Sequence, residues 1–185
     1  MKLQSLVFDD FFSNPNEAKR LCGEMPLMDF PANDGVVYPG IIELPKAVRA
    51  EVDKNFESIY GKAYDPQVVF GRYSMETMSP PNWAHSDGNM AQMLGLIYLF
   101  GSPLGNEHGT YLLRHIRTGF ELHPRNDEQK QILLSESNER EAWEPTFHCP
   151  AKFNRLFILS ADYIHAAGKS FGNRVSTSRL VISVF

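Results

Sequence analysis

Hydrophobic residues recur at helical spacing in the first third of this 185-residue chain. Asn14 is a capping residue, Pro15 suits the first helical position and Glu17 lies three residues after the cap, which predicts a helix over residues 14–25. A second helix is predicted over residues 45–60. Its apolar positions share one face: Val48, Val52, Phe56 and Ile59. Residues 1–64 are therefore expected to form two helices joined by links rich in proline and glycine.

After residue 65 the pattern changes to short apolar runs separated by turn-forming residues. Five runs are predicted as strands: 67–73, 93–100, 110–113, 155–160 and 179–185. A polar, helix-prone stretch over residues 124–138 interrupts the series. Several short strands with glycine, proline and asparagine between them favour a sandwich or barrel. The predicted fold class is mainly β with N-terminal helices.

Composition and charge narrow the classes of function. The chain is 43% hydrophobic and 22% charged, which suits a single domain spanning residues 1–185. Its 18 Lys and Arg face 22 Asp and Glu, so no basic excess predicts binding to nucleic acid or to an anionic membrane. No apolar run is long enough for a membrane span, and the first residues become acidic before a signal-peptide core can form. A cytoplasmic location is expected.

Two of the six histidines stand in a pattern that suits a metal site. His85 and Asp87 are two residues apart, and on an extended segment such side chains point to the same face. His165 follows the predicted strand 155–160. Two histidines and one carboxylate at the rim of a β-sandwich form the facial triad that leaves one face of Fe(II) open. A His-x-Asp pair alone also fits a loop histidine bonded to a capping aspartate. The order of the strands around the pair and around His165 favours the metal site over that alternative.

Six stretches in chain order carry a family resemblance: Tyr73, His85–Asp87, Gly109–His115, Asn154–Phe157, His165 and Arg179–Phe185. By their order and spacing, residues 65–185 resemble the double-stranded β-helix, or jelly roll, of Fe(II)/2-oxoglutarate-dependent dioxygenases. The prolyl-4-hydroxylase-like branch is the most similar, and within it a bacterial subgroup with Gly-Thr…Arg-His and Asn-Arg segments. The resemblance implies a β-helix core over residues 65–185 and a helical support over residues 1–64.

The resemblance also implies an activity and a set of cofactors. It assigns the metal ligands, which are the catalytic centre, to His85, Asp87 and His165. The implied enzyme uses Fe(II), O₂ and 2-oxoglutarate as cosubstrate, and releases succinate and CO₂ as it hydroxylates a substrate. An amino acid, a peptide or protein, or a small metabolite fits that role. Another divalent metal can occupy the same ligands in purified protein.

In the same resemblance, a basic residue binds the far carboxylate of 2-oxoglutarate. Arg179 is favoured because the strand after it matches the family's terminal strand. Arg174 is the alternative, since it lies nine residues after the distal histidine and begins an Arg-x-Ser pattern. Tyr98 aligns with a family tyrosine that helps to hold the carboxylate. Tyr73 and Ser183 are further candidates for the same pocket.

Two other classes of function fit these residues. One is a cupin-type metal enzyme without redox chemistry, which would hold Zn²⁺ or Mn²⁺ with the same ligands. The other is a jelly-roll binding module without turnover. Cupins usually carry more histidines near the first motif and have no basic partner for a dicarboxylate, so an arginine on the terminal strand argues against the cupin alternative.

Overall fold

The structure, a computed structural model, describes residues 5–32, 35–61, 66–78, 83–100 and 107–185. The α-helices within these ranges are α1 (Pro15–Gly23), α2 (Lys46–Tyr60) and α3 (Asp127–Glu136). The strands are β1 (Ser5–Phe8), β2 (Met28–Pro31), β3 (Val37–Ile41), β4 (Val69–Ser74), β5 (Met93–Tyr98), β6 (Gly109–His115), β7 (Trp143–Pro150), β8 (Arg155–Ser160), β9 (His165–Ala167) and β10 (Arg179–Val184). In the described part of the chain, every helix is too short or too polar to cross a membrane.

The helices form where capping residues and apolar spacing predicted them. The Asn14 side chain accepts a hydrogen bond from the backbone N–H of Glu17, and a proline occupies the first position of α1. α2 follows Pro45 and ends at Gly61, whose φ of 66° suits a residue without a Cβ atom. α3 lies inside the polar stretch 124–138. The predicted helices of the first third are confirmed.

The strands form two antiparallel sheets. The larger sheet has seven strands in the order β1-β8-β5-β10-β4-β3-β2, and the smaller has three in the order β7-β6-β9. Strands distant in sequence are neighbours in the centre of the larger sheet, as in a jelly roll. All five predicted strands are present as β4, β5, β6, β8 and β10. The predicted fold class, mainly β with N-terminal helices, is confirmed.

Three strands in the N-terminal segment were not predicted. β1 pairs with β8 at one edge of the larger sheet, and β3 and β2 extend the opposite edge beyond β4. β1 and β2 contain four residues each, and Pro31 and Pro39 interrupt the pattern of β2 and β3. The N-terminal segment therefore contributes strands to the sheet as well as helices. The predicted boundary between residues 64 and 65 lies outside the described residues.

The two faces of the larger sheet have different roles. Along β10, Leu180 and Ile182 belong to the apolar cluster that includes residues of α1 and α2. Because neighbouring residues on a strand point to opposite faces, Arg179, Val181 and Ser183 lie on the other face. This inner face contacts the smaller sheet, and the candidate site lies between the two sheets.

A buried asparagine fastens the segment after β1 to the turn between β7 and β8. Oδ1 of Asn154 accepts a hydrogen bond from the backbone N–H of Phe12 at 2.8 Å, and Nδ2 donates to the Phe12 carbonyl at 2.9 Å. The backbone N–H of Asn154 donates to the carbonyl of Tyr98 at 2.8 Å. Asn154 has a φ of 66°, which asparagine tolerates better than most residues. The N-terminal segment is thus tied to the centre of the larger sheet.

Replacing Asn154 with alanine is expected to lower the free energy of unfolding by about 2–4 kcal/mol. Two buried backbone groups of Phe12 lose their partners, and alanine is strained at this φ. Chemical denaturation measures the change. Asn154→Gly loses the same hydrogen bonds without the strain, so its stability should lie between wild type and Asn154→Ala. A loss below about 1 kcal/mol in both variants would contradict the structural role.

An ion pair beside this junction depends on pH. Asp9 accepts hydrogen bonds from Arg155 Nε at 2.7 Å and from Lys152 Nζ at 2.9 Å. These bonds, first that of Arg155, lower the pKa of Asp9 from 3.8 to about 2. The contribution of this ion pair to the free energy of folding is therefore complete above the pKa of Asp9 in the unfolded chain. It is lost as the pH falls toward the lower pKa of Asp9 in the folded protein.

Asp9→Asn is expected to cost about 1 kcal/mol of stability near neutral pH, a small effect because the carboxylate is partly exposed to solvent. The difference from wild type should shrink between about pH 4 and pH 2, where the wild-type carboxylate becomes protonated. Denaturation of both proteins across this range measures the difference. A constant difference down to about pH 2 would show that the charge of Asp9 is not the cause.

Candidate metal and cosubstrate site

Backbone hydrogen bonds bring the two candidate metal-binding histidines side by side. The N–H of His85 donates to the carbonyl of His165 at 3.0 Å, and the N–H of His165 donates to the carbonyl of His85 at 2.7 Å. His165 begins β9, and His85 lies in the segment before β5. The centroids of the two rings are 4.5 Å apart. The structure thus joins two imidazoles that are eighty positions apart in sequence.

Both imidazole rings are oriented by backbone carbonyls. Nδ1 of His85 lies 3.1 Å from the carbonyl of Trp83, and Nδ1 of His165 lies 2.9 Å from the carbonyl of Tyr163. A carbonyl only accepts, so Nδ1 carries the proton in each hydrogen bond. In the neutral ring, Nε2 is then the nitrogen with the lone pair that a metal binds.

The carboxylate of Asp87 completes the cluster. The backbone N–H of Asp87 donates to the carbonyl of Ala161 at 3.0 Å, next to the end of β8. Oδ2 of Asp87 lies 3.5 Å from Nε2 of His165, and the ligand atoms of all three side chains lie within 4.8 Å of one another. No other cluster of His, Cys, Asp or Glu among the described residues has this geometry. Two imidazoles and one carboxylate are a suitable donor set for Fe(II).

The loop that carries Asp87 is also hydrogen-bonded to the segment around His123. Ser86 Oγ lies 2.7 Å from Nδ1 of His123, and the N–H of His123 donates to the carbonyl of Asp162 at 2.6 Å. A Cβ atom at Gly88 would crowd Oδ1 of Asp162, so a larger residue there would have to displace that carboxylate. These contacts fix the direction in which the neighbouring ligands point.

A cavity of about 70 Å³ lies beside the three candidate ligands. A space of this size holds several water molecules. Two hydroxyl side chains, Thr110 and Ser183, and the basic side chain of Arg72 line it together with the ligands. The apolar part of the lining includes Phe30, Phe70, Met90, Leu94, Leu96 and Phe185.

Arg179 is buried on the inner face of the larger sheet. Only 2% of its surface is exposed, and the guanidinium donates to the carbonyl of Gly168 at 3.1 Å and to Ser74 Oγ at 3.3 Å. Ser183, which lines the cavity, lies four residues further along the same strand and on the same face. Arg179 therefore shares the inner face with Ser183 but does not itself line the cavity.

Tyr98 of β5 lies opposite Val181 of β10, and is therefore diagonal to Arg179 on the neighbouring strand. Its hydroxyl is 2.8 Å from Thr110 Oγ1, and the whole side chain is buried. Burial raises the pKa of Tyr98, although the hydrogen bond with Thr110 and the charge of Arg179 act in the opposite direction. The phenol is thus protonated at neutral pH and can act as a hydrogen-bond donor.

Two other predicted residues lie away from the cavity. Arg174 is exposed and precedes the 3-10 turn Val175–Thr177. Tyr73 is buried on the helix-covered face, in the cluster that contains Cys22, where burial raises its pKa to about 12. Successive residues of β4 point to opposite faces of the sheet, so Arg72 rather than Tyr73 reaches the cavity. Arg72 and Thr110 are cavity residues that sequence reasoning missed.

Comparison with protein families gives a match over nearly the whole chain. Residues 2–185 match the family described as "Family of unknown function (DUF6445)". The chain belongs to this family. No curated protein matches this DUF6445 chain.

Three solved structures show how the fold of the DUF6445 chain compares with those of other proteins. HygX from Streptomyces hygroscopicus, with nickel and 2-oxoglutarate bound, is 11% identical at a TM-score of 0.64, covering 98% of this chain and 81% of HygX. SnoK, a non-heme alpha ketoglutarate dependent carbocyclase from nogalamycin biosynthesis, is 14% identical at a TM-score of 0.61, and the match covers 98% of this chain and 78% of SnoK. A prolyl hydroxylase from Trichoplax adhaerens, in complex with a hypoxia inducible factor peptide fragment, is 8% identical at a TM-score of 0.58. That match covers 99% of this chain and 83% of the hydroxylase. The predicted jelly-roll fold is confirmed.

Proposed function

We propose that this protein is an Fe(II)- and 2-oxoglutarate-dependent oxygenase that hydroxylates its substrate. The observation that carries the proposal is the convergence of His85, Asp87 and His165 beside a cavity. The fold supports it, since it is shared with proteins such as HygX and SnoK, whose descriptions name 2-oxoglutarate or alpha ketoglutarate. The prolyl-hydroxylase-like branch and its bacterial subgroup remain predictions from the sequence.

The ligands act through atoms that the structure already orients. Nε2 of His85, Nε2 of His165 and the Asp87 carboxylate would hold the metal. The carbonyls of Trp83 and Tyr163 accept the Nδ1 protons, which keeps both rings in the tautomer that a metal needs. Because the backbones of His85 and His165 are hydrogen-bonded to each other, the two residues are held side by side, and the Nδ1 contacts orient their rings.

Arg179 is the proposed partner of the far carboxylate of 2-oxoglutarate. A planar guanidinium meets a carboxylate with two parallel hydrogen bonds, and a buried cation gains most from such a partner. Its contacts with Gly168 and Ser74 hold it on the inner face. The hydroxyls of Tyr98 and Ser183 are the proposed additional donors. Thr110, which bonds to Tyr98 and lines the cavity, connects this group with the cavity floor.

The metal and 2-oxoglutarate, when bound, supply the oxidising chemistry that uses O₂ and yields succinate and CO₂. The chain supplies geometry and a largely apolar lining. Leu94, Leu96 and the phenylalanines of the cavity form the apolar part of that lining beside the ligands. The substrate is proposed to be a peptide or a small molecule, either of which would approach the three ligands through the cavity.

The alternatives differ from this proposal in what the inner face must bind. A cupin-type enzyme with Zn²⁺ or Mn²⁺ and a binding module without turnover do not need a buried guanidinium beside protonated hydroxyls. The arrangement of Arg179, Tyr98 and Thr110 favours a dicarboxylate cosubstrate. The ligands themselves also bind other divalent ions, so purified protein can contain another metal.

Anaerobic addition of Fe(II) and 2-oxoglutarate to the metal-free protein tests the proposal. Bidentate binding of the keto acid to Fe(II) is expected to produce a weak visible charge-transfer band that saturates with 2-oxoglutarate. Succinate formation after addition of O₂ then measures turnover. A folded protein that binds Fe(II) without a band would contradict the oxygenase and favour the cupin alternative, and one that binds neither would favour the binding module.

A further inference from the structure

We propose that Arg72 binds an anionic group of the primary substrate, and that this substrate is a small apolar carboxylic acid. The inference rests on the proposed function, because it places the substrate beside the metal that His85, Asp87 and His165 would hold. Its evidence is separate: the position of Arg72, the charge of the cavity lining and a stack of phenylalanine rings.

Arg72 points into the same cavity as the candidate ligands. It lies in β4 opposite Val181 of β10, and both side chains belong to the inner face of the larger sheet. The side chain is half-buried, and its guanidinium carbon lies 4.9 Å from the centre of the Tyr38 ring. A guanidinium has five N–H donors, so it can keep contacts with protein and still receive a carboxylate. Arg72 is therefore a positioned cation on the wall of the cavity.

Arg72 and Arg179 are close neighbours on one face. Arg179 pairs with Ser74, two residues along β4 from Arg72, so the two arginines are diagonal across adjacent strands. The single far carboxylate of 2-oxoglutarate is assigned to Arg179, which is fully buried. Arg72 is half-buried and lines the cavity itself. Two guanidinium groups that differ in burial and in access to the cavity suit two separate anions.

The charge of the cavity lining also favours an anion. Asp87 is the one acidic side chain among the described residues that line the cavity. A divalent metal held by Asp87 would add positive charge beside Arg72, so an anion in the cavity would meet positive groups on two sides.

A stack of phenylalanine rings forms the apolar part of the proposed substrate site. The Phe30 and Phe70 rings are stacked with centroids 4.0 Å apart, and those of Phe70 and Phe185 are stacked at 5.9 Å. All three rings line the cavity with Arg72. A flat apolar group packs well against such rings. The structure thus places an apolar wall and a cation together, which is the complement of an aryl or other flat carboxylic acid.

Phenylacetate and its neutral analogue phenylacetamide are the probes for this site. Calorimetric titration of both into the protein loaded anaerobically with Fe(II) and 2-oxoglutarate measures their affinities. Phenylacetate is expected to bind at least about tenfold more tightly than phenylacetamide, because only the acid pairs with a guanidinium. Arg72→Met should remove this difference, and Arg72→Lys should retain part of it. Phe30→Ala should weaken both probes to a similar extent.

The exposed Arg174 provides a matched control, because Arg174→Met also removes one arginine and should change neither probe. The visible chelate band of each variant shows that its metal and cosubstrate sites are intact. Equal affinity for the two probes in wild type, binding of neither, or a difference that survives in Arg72→Met would each overturn the inference. A loss of more than about tenfold in 2-oxoglutarate affinity in Arg72→Met would also overturn it, by assigning Arg72 to the cosubstrate. Absence of the chelate band in wild type would instead refute the proposed function itself.

Discussion

Replacement of His165 with alanine is expected to abolish formation of the Fe(II) and 2-oxoglutarate chelate. Loss of one of three metal ligands should reduce Fe(II) affinity by more than about 100-fold, since even residues behind the ligands contribute 10- to 100-fold. The backbone hydrogen bonds between residues 85 and 165 do not involve the side chain, so the fold should persist. Anaerobic titration with Fe(II), followed by the visible band with 2-oxoglutarate, measures the effect.

A matched histidine elsewhere provides the control for this variant. His148 is half-buried and stacks on the ring of Tyr111 at 4.1 Å, away from the three candidate ligands. His148→Ala should keep Fe(II) affinity close to wild type, which separates loss of a ligand from loss of any histidine. Wild-type metal affinity in His165→Ala would refute the proposed site.

The second large effect is expected from Arg179. Arg179→Met should weaken 2-oxoglutarate binding by about 2–5 kcal/mol, because a buried carboxylate loses its charged partner. Pyruvate, which has the keto acid but no second carboxylate, should bind wild type and variant equally. Titration of the chelate band with both keto acids measures the two affinities. The selective loss of 2-oxoglutarate affinity then isolates the contribution of the far carboxylate.

Arg174 and a conservative variant make this test decisive. Arg174→Met should leave 2-oxoglutarate affinity unchanged, because the side chain is exposed and lies away from the cavity. Arg179→Lys keeps the charge, and is the variant to use if removing the contacts with Gly168 and Ser74 prevents folding. Unchanged affinity in Arg179→Met, with a loss in Arg174→Met, would reverse the assignment of the two arginines.

Local signals explain which parts of the fold could be predicted. The cap at Asn14 and the glycine stop of α2 act within one helical turn, so they are visible in the sequence. Long apolar strands such as β5 are equally visible, because burial on both faces requires continuous hydrophobicity. β1 and β2 lack such signals, since each is a four-residue strand at or near a sheet edge whose pairing partner is distant in sequence. Their formation depends on tertiary pairing.

Strand order was sufficient to predict the cluster of candidate ligands, whereas the residues that line the cavity depend on strand register. The order of strands around His85, Asp87 and His165 predicted a cluster that the structure brings together. Tyr73 was expected in the pocket, but a difference of one residue places it on the helix-covered face and Arg72 on the inner face. The sequence shows that both residues belong to one strand, but the face of each depends on the pairing of β4 with β10.

The backbone bridge between His85 and His165 affects when the three candidate ligands come together during folding. Its two halves come from segments eighty positions apart in the chain, so the bridge is a long-range contact. Such long-range contacts are slow to form because a large loop must be ordered first. A partly folded chain would present the His85-Asp87 pair without His165, so in the proposed enzyme the metal ion would bind late, on an already assembled scaffold.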